Sequence, residues 1–156
     1  MESSGMRLSA AALGLLALVW LGFAPALEGG ILAFDDDQAL VLNARYRGLG
    51  TDELGWMLTT PHLGHYQPLT WLSYALDWTV AGGLDAAAFH RTNVALHALA
   101  ALAFLALAHA LLRQALPAAG PTSLAFGAFA AAGLFAVHPL RAESVAALGS
   151  VAYAAV

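Results

Sequence analysis

The chain has 156 residues, 60% of them hydrophobic and only 10% charged, with six arginines and a net charge of −4. That balance excludes nucleic acid as a partner, since such binding needs a basic stripe, and without cysteine there is neither a disulfide framework nor thiolate chemistry. A mean hydropathy of +0.71, with the apolar residues gathered in blocks, marks an integral membrane protein.

The first block, LSAAALGLLALVWLGFAPAL at 8–27, has Ser9 as its only polar side chain. At about 1.5 Å per residue it covers the roughly 30 Å hydrocarbon core. Arg7 and Ala24-Pro25-Ala26 also suit a signal peptide, but Pro25 sits badly at a cleavage site and the run is long for one. An uncleaved span over 1–27 is expected.

Residues 28–91 hold eight of the ten acids and predict a large polar loop with short helices. Within it, FDDD at 34–37 sets Asp35, Asp36 and Asp37 side by side. Acids suit a first helical turn, where free N–H groups carry partial positive charge, so QALVLNARY could be the helix they start. GTDELGWMLTT predicts a helix from Thr51 or Asp52, and QPLTWLSYALDWTVAGG one from Pro68 to the Gly82-Gly83 stop. Leu69, Leu72 and Leu76 line a stripe of that helix beside Trp71, Tyr74 and Trp78. Aromatics with one polar tip favour the headgroup layer, so the helix is expected to lie on the membrane surface.

A second span is expected over 92–112 and a third over 123–137, joined by the turn QALPAAGPT; together they make up 92–137. Gly127, Ala131 and Gly133 would let neighbouring helices approach closely. The last stretch, 138–156, opens with HPLRAES and begins a fourth apolar segment at Val145 that reads as cut off. The isolated chain is therefore expected to be inactive in its own right. Arg7 and Arg113 in short flanks place the N-terminus and the 113–122 turn in the cytoplasm. The acidic loop and HPLRAES then share the extracytoplasmic face. The fold class is all-α and membrane-integral, a bundle fragment whose large extracytoplasmic loop carries short interfacial helices.

His90, Asn93 and His97 are spaced i, i+3, i+7 and so share one helical face. Polar groups there form either the wall of a site or helix–helix glue with Thr92 or Asn93 as the helix cap. No two histidines stand at i, i+4, so the spacing offers no metal site, and a divalent-metal requirement stays open. Arg141 is either a phosphate binder or half of a weak surface pair with Glu143. His62, His65 and Tyr66 read as loop residues.

FDDDQALVLN after a first span, HYQPLTWLSYALDW, HRTNVALHAL opening the second span and LFAVHPLRAESVA closing the third appear in that order. The series resembles the N-terminal part of the GT-C glycosyltransferases with C-terminal tetratricopeptide repeats, whose eukaryotic members are the transmembrane O-mannosyltransferases. The resemblance covers roughly residues 31–148. It implies a GT-C-like bundle that moves a mannose-like hexose from a polyprenyl-phosphate carrier to a protein Ser/Thr hydroxyl. The partners implied are the lipid-linked donor, the protein acceptor and membrane lipids. The membrane would be the cytoplasmic one, or the endoplasmic reticulum in a eukaryote.

By position, Asp35 and Asp36 match the family's catalytic acidic pair, while Asp37 stands where the family varies. Asn43, His90, Asn93, His97, His138 and Glu143 fall on its other motif positions, read as substrate-binding. A carboxylate accepting the hydroxyl proton, with attack opposite the phosphate, implies inversion, and the leaving phosphate needs a cation such as Arg141 or Arg91. The chain departs from the family where GSVAYAAV lacks a basic residue after HPLRAES, and it carries no helical repeat. Those departures keep open a non-catalytic scaffold or assembly module of the same fold.

Overall fold

A computed structural model describes residues 2–31, 36–146 and 148. Among the described residues six α-helices form: α1 Glu2–Phe23, α2 Thr51–Thr59, α3 Pro68–Ala81, α4 Ala86–Ala115, α5 Pro121–Val137 and α6 Leu140–Ala146. The architecture is all-α, with no strand among the described residues. A 3-10 helix at Ala24–Glu28, started by Pro25, ends α1, and a single π-type turn lies at Asp37–Val41.

Two segments, Gly5–Glu28 and Ala86–Ala115, are long and apolar enough to cross a membrane. Only 17% and 22% of them is buried, so most of their apolar surface faces outward. A soluble protein would hide such surface in its core; a membrane protein presents it to lipid. The expected third span is the 17-residue α5, which at about 1.5 Å per residue reaches only about 25 Å.

α1, α4 and α5 pack as a bundle around Leu15, Val19, Val94, Ala101, Leu105, Ala128, Ala132 and Ala136. Small side chains on α5 permit the close approach. A Cβ on Gly127 would stand 3.1 Å from Leu112 Cδ1, tighter than ordinary contact between α5 and α4. Pro139 stops α5 by holding His138 extended, at ψ 133°.

The helices are not of equal length, and that shapes the site. His97 bonds the Ala136 carbonyl at the end of α5 and packs edge-on against Phe23 at the end of α1. Both neighbours thus end level with His97, while α4 begins eleven residues earlier and projects about 16 Å beyond them. The 3-10 helix and α6 pack against this projection. The helix that holds the expected second span, 92–112, runs beyond it at both ends. The helix starts at Ala86, capped by Asp85, whose carboxylate accepts from the Ala87 N–H at 3.0 Å.

Thr92 and Asn93 are therefore not the cap. Thr92 donates to Asp77 Oδ1 at 2.6 Å, tying α4 to α3. Burial raises the Asp77 carboxyl above its usual range, against the Thr92 hydrogen bond and the Arg91 charge that favour ionisation. A folded-state value above the unfolded one means that the folded chain binds the extra proton between the two. Stability is then highest below that window and falls as pH rises through it. Asp77→Asn keeps an acceptor for Thr92 and removes the desolvated charge. The variant is expected to be at least as stable at neutral pH and to lose this step, read by thermal unfolding in nanodiscs from pH 4 to 8.

The second core lies beside the bundle, where Tyr46, Met57, Trp71, Tyr74, Ala75 and Phe89 are buried together. α3 has the expected limits, and Gly82 closes it at φ +73°, where a side chain would be strained. Its orientation overturns one expectation: Trp71 and Tyr74 do not face headgroups but are buried, whereas Leu69 and Leu76 are exposed. Trp71 packs on Trp56, His62 and Tyr74, with ring centroids 5.3–5.7 Å apart. His62 and His65 close a tight turn through reciprocal backbone bonds of 3.0 Å.

Candidate functional site

Asp35 lies outside the described residues. Asp36 lies just before the π-type turn and is only 2% exposed. No long helix follows it: Leu42 N–H bonds back to Asp37 C=O at 2.8 Å and the turn ends there. Nor does the Asp36 side chain cap the turn. The helix-start reading of the acids therefore fails at Asp36.

Two residues that sequence reasoning did not single out hold the turn from the other side. Tyr46 Oη donates to the Leu40 carbonyl at 3.1 Å, and Arg47 Nη2 donates to the Leu40 and Val41 carbonyls at 3.2 and 2.6 Å. Burial raises the Tyr46 phenol, so it keeps its proton and stays a donor at neutral pH. The Arg47 guanidinium also lies 4.7 Å from the centre of the Trp78 ring. The available signal was RYR, with a basic and an aromatic residue adjacent after the acids. Asn43 is buried in the same loop, where its Oδ1 accepts from Arg45 N–H at 3.0 Å.

The face shared by His90, Asn93 and His97 is buried along its whole length. Its members do different work. His97 Nε2 donates to the Ala136 carbonyl at 2.9 Å, and Asn93 Nδ2 donates to the Val145 carbonyl at 3.4 Å. Both are the glue that joins α4 to α5 and α6. His90 is not: its ring lies against Gly29, where a Cβ would stand 3.0 Å from Nε2.

Near His97 stands Arg141 of α6, linked to it through the Phe135 ring, which stacks on His97 with centroids 6.0 Å apart. Its guanidinium lies 4.3 Å from the centre of the Phe135 ring and makes no ion pair among the described side chains. With His138, Phe135, Leu134 and Phe104 it lines a groove of about 570 Å³ that is apolar apart from its cationic end. His138 is exposed at that end, where its Nδ1 accepts from the Leu140 N–H at 3.3 Å. Glu143 falls within α6, and its side chain lies outside the described residues. Arg91 pairs with Asp85 at 3.5 Å on the surface, whereas Arg141 makes no such pair among the described side chains. No group of three or more metal-ligating side chains occurs among the described residues.

The arrangement is a buried acid in the loop before α2 and, on α6, a cation heading an apolar groove. Compared with curated proteins, the chain is 32% identical over 143 residues to "Protein O-mannosyl-transferase Tmtc1" of Drosophila melanogaster, a match covering 86% of this chain and 15% of that protein. It is 30% identical over 126 residues to "Protein O-mannosyl-transferase Tmtc2" of the same organism, covering 76% of this chain and 12% of that one. The chain thus spans about one seventh to one eighth of the length of these relatives. No protein-family model and no solved structure matches it.

Proposed function

We propose that this chain, an O-mannosyl-transferase-like family segment, supplies the acceptor-activating acid and the donor-phosphate cation of a membrane glycosyltransferase. The reaction moves a mannose-like hexose from a polyprenyl-phosphate carrier to a protein Ser/Thr hydroxyl. The observation that carries the reading is the cation, Arg141, heading an apolar groove, with a buried acid, Asp36, in the loop of the second core. An isoprenoid chain suits the groove between Phe104 and Leu134, with its phosphate on Arg141 and His138.

The acceptor oxygen forms its bond to the anomeric carbon as the bond from that carbon to the phosphate oxygen breaks. The hydroxyl proton passes to the carboxylate of Asp36 or of its neighbour Asp35, and polyprenyl phosphate leaves with the bonding pair. Arg141 stabilises the charge gathering on that phosphate. Attack from the face opposite the leaving group inverts the carbon. The acidic loop and α6 lie on the extracytoplasmic side, with the N-terminus in the cytoplasm, in a cytoplasmic or endoplasmic-reticulum membrane.

Arg141→Ala in the full-length protein tests the donor half. Charge-assisted hydrogen bonds are worth about 1.5–3 kcal/mol, so affinity for a polyprenyl-phosphate sugar should fall roughly 10- to 100-fold. Photo-crosslinking with a labelled polyprenyl-phosphate mannose measures it. Unchanged crosslinking would remove Arg141 from the donor site.

A further inference from the structure

We infer that the groove between α1 and α4 binds an aminophospholipid of the phosphatidylethanolamine type. One acyl chain lies between the helices, and the headgroup sits on the Arg91–Asp85 pair. The inference does not depend on the donor groove at Arg141, which shares no lining residue with this one. Three observations carry it.

The first is the gap itself. About 560 Å³ of space opens between the two helices, walled by Leu16, Ala17 and Trp20 of α1 and by Val94, Ala95 and Ala98 of α4. No residue of α5 lines it, so the bundle does not fill it. Ala17, Trp20 and Ala95 are exposed there, and both helices are long and apolar enough to cross a membrane. What covers such a gap is lipid.

The second is its depth. Arg91 is the charged residue on the wall, and no Asp, Glu, Lys or Arg follows it along α4 until Arg113. On the other side Leu27 lines the groove and Glu28 follows at once, the first charge after Arg7. Both walls therefore turn from charged to apolar at one end, the level where headgroups meet hydrocarbon. Trp20, 57% exposed, adds the amphipathic ring that suits this level. From Arg91 to Ala98 the α4 wall then runs about 10 Å into the apolar part.

The third is the charge pattern at the mouth. Arg91 Nη2 lies 3.5 Å from Asp85 Oδ2, with 63% and 49% of the two side chains exposed. Exposed pairs contribute little, so both groups can turn to a headgroup at small cost. A second carboxylate, Asp77, holds the hydroxyl of Thr92, the residue after Arg91. Such a mouth does not favour a net anionic lipid. It matches a headgroup that carries both charges. The phosphate accepts two parallel hydrogen bonds from the guanidinium, and the ammonium, two carbons away, donates to the Asp85 carboxylate. Phosphatidylcholine carries the same charges but has no N–H to donate.

The test uses the full-length protein in detergent with a phosphatidylethanolamine probe bearing a photoreactive group on its acyl chain. Labelled peptides are mapped, and unlabelled phosphatidylethanolamine, phosphatidylcholine, phosphatidylglycerol and polyprenyl phosphate compete. Labels should fall around Trp20 and Ala95. Phosphatidylethanolamine should compete at roughly 10- to 100-fold lower concentration than the other two phospholipids, the range for charge-assisted hydrogen bonds. Asp85→Asn still caps α4 and should bring phosphatidylethanolamine down to the level of phosphatidylcholine. Arg91→Ala should weaken all three phospholipids. Ala95→Phe fills the groove without touching the headgroup pair and should abolish labelling.

Tighter phosphatidylglycerol, or a preference that survives Asp85→Asn, would overturn the headgroup assignment. Polyprenyl phosphate displacing the probe more readily than phosphatidylethanolamine would make this the donor groove and overturn the inference. Labels spread over the lipid-facing surface, or unchanged by Ala95→Phe, would show bulk lipid only and overturn it as well. Where a variant does not accumulate, the order of competition and the labelled peptides of the wild type decide.

Discussion

Asp36→Asn is expected to lower sugar-transfer turnover by roughly 10²–10⁴-fold, the range that general-base catalysis contributes, while protein level and donor binding persist. Asparagine keeps the size of the side chain but cannot take the hydroxyl proton. If Asp36 served instead as a helix cap, the loss would appear in stability, at about 1 kcal/mol or less, since Asn caps nearly as well as Asp. The structure already argues against the cap, because the Asp36 side chain makes no capping bond. Asp37→Asn should change little, since its side chain is only half-buried. Asp35→Asn belongs in the same series, measured as transfer to a Ser/Thr acceptor at matched expression. Full activity in both the Asp35 and Asp36 variants would hand the segment to the scaffold reading.

What the sequence made legible was mostly local. Apolar blocks announced α1, α4 and α5, Pro68 and Gly82 bounded α3, and Pro139 ended α5, because each acts on the backbone within a turn of itself. The i, i+3, i+7 spacing put His90, Asn93 and His97 on one face, where they are. It could not divide their work, since Ala136 and Val145, which occupy His97 and Asn93, come from segments some forty and fifty residues away.

The start of α4 was missed because AAA after Asp85 carries no period, and Thr92 looked like a cap. The outward aromatics of α3 were misjudged for a different reason. Tyr and Trp suit a membrane interface and a mixed core equally, and only the loop folded against them decides. Tyr46, whose ring lies 5.8–6.5 Å from those of Tyr74, Trp71, Trp78 and Phe89, is the residue that decides it.

Trp71→Ala should cost the loop about 3–5 kcal/mol, the usual range for removing a buried tryptophan. The side chain is fully buried, and its ring touches those of Trp56, His62, Tyr46 and Tyr74 from α2, α3 and the segments beside them. Its removal leaves a cavity where four rings meet, and Tyr46 is one of the two donors that hold the turn after Asp36. Hydrogen exchange in nanodiscs separates this from a membrane-facing role. Protection in α2 and α3 should collapse, while the α4–α5 contact around Ala101, Ala128 and Ala132 keeps its slow amides, because it belongs to a different core. Leu69→Ala, on the exposed side of the same helix, should leave exchange in α2 and α3 unchanged. Were Trp71 instead an interfacial anchor, its loss would spare that protection and lower only the quenching of its fluorescence by brominated lipid. Transfer activity should follow protection, since a turn freed from Tyr46 no longer holds Asp36 in place.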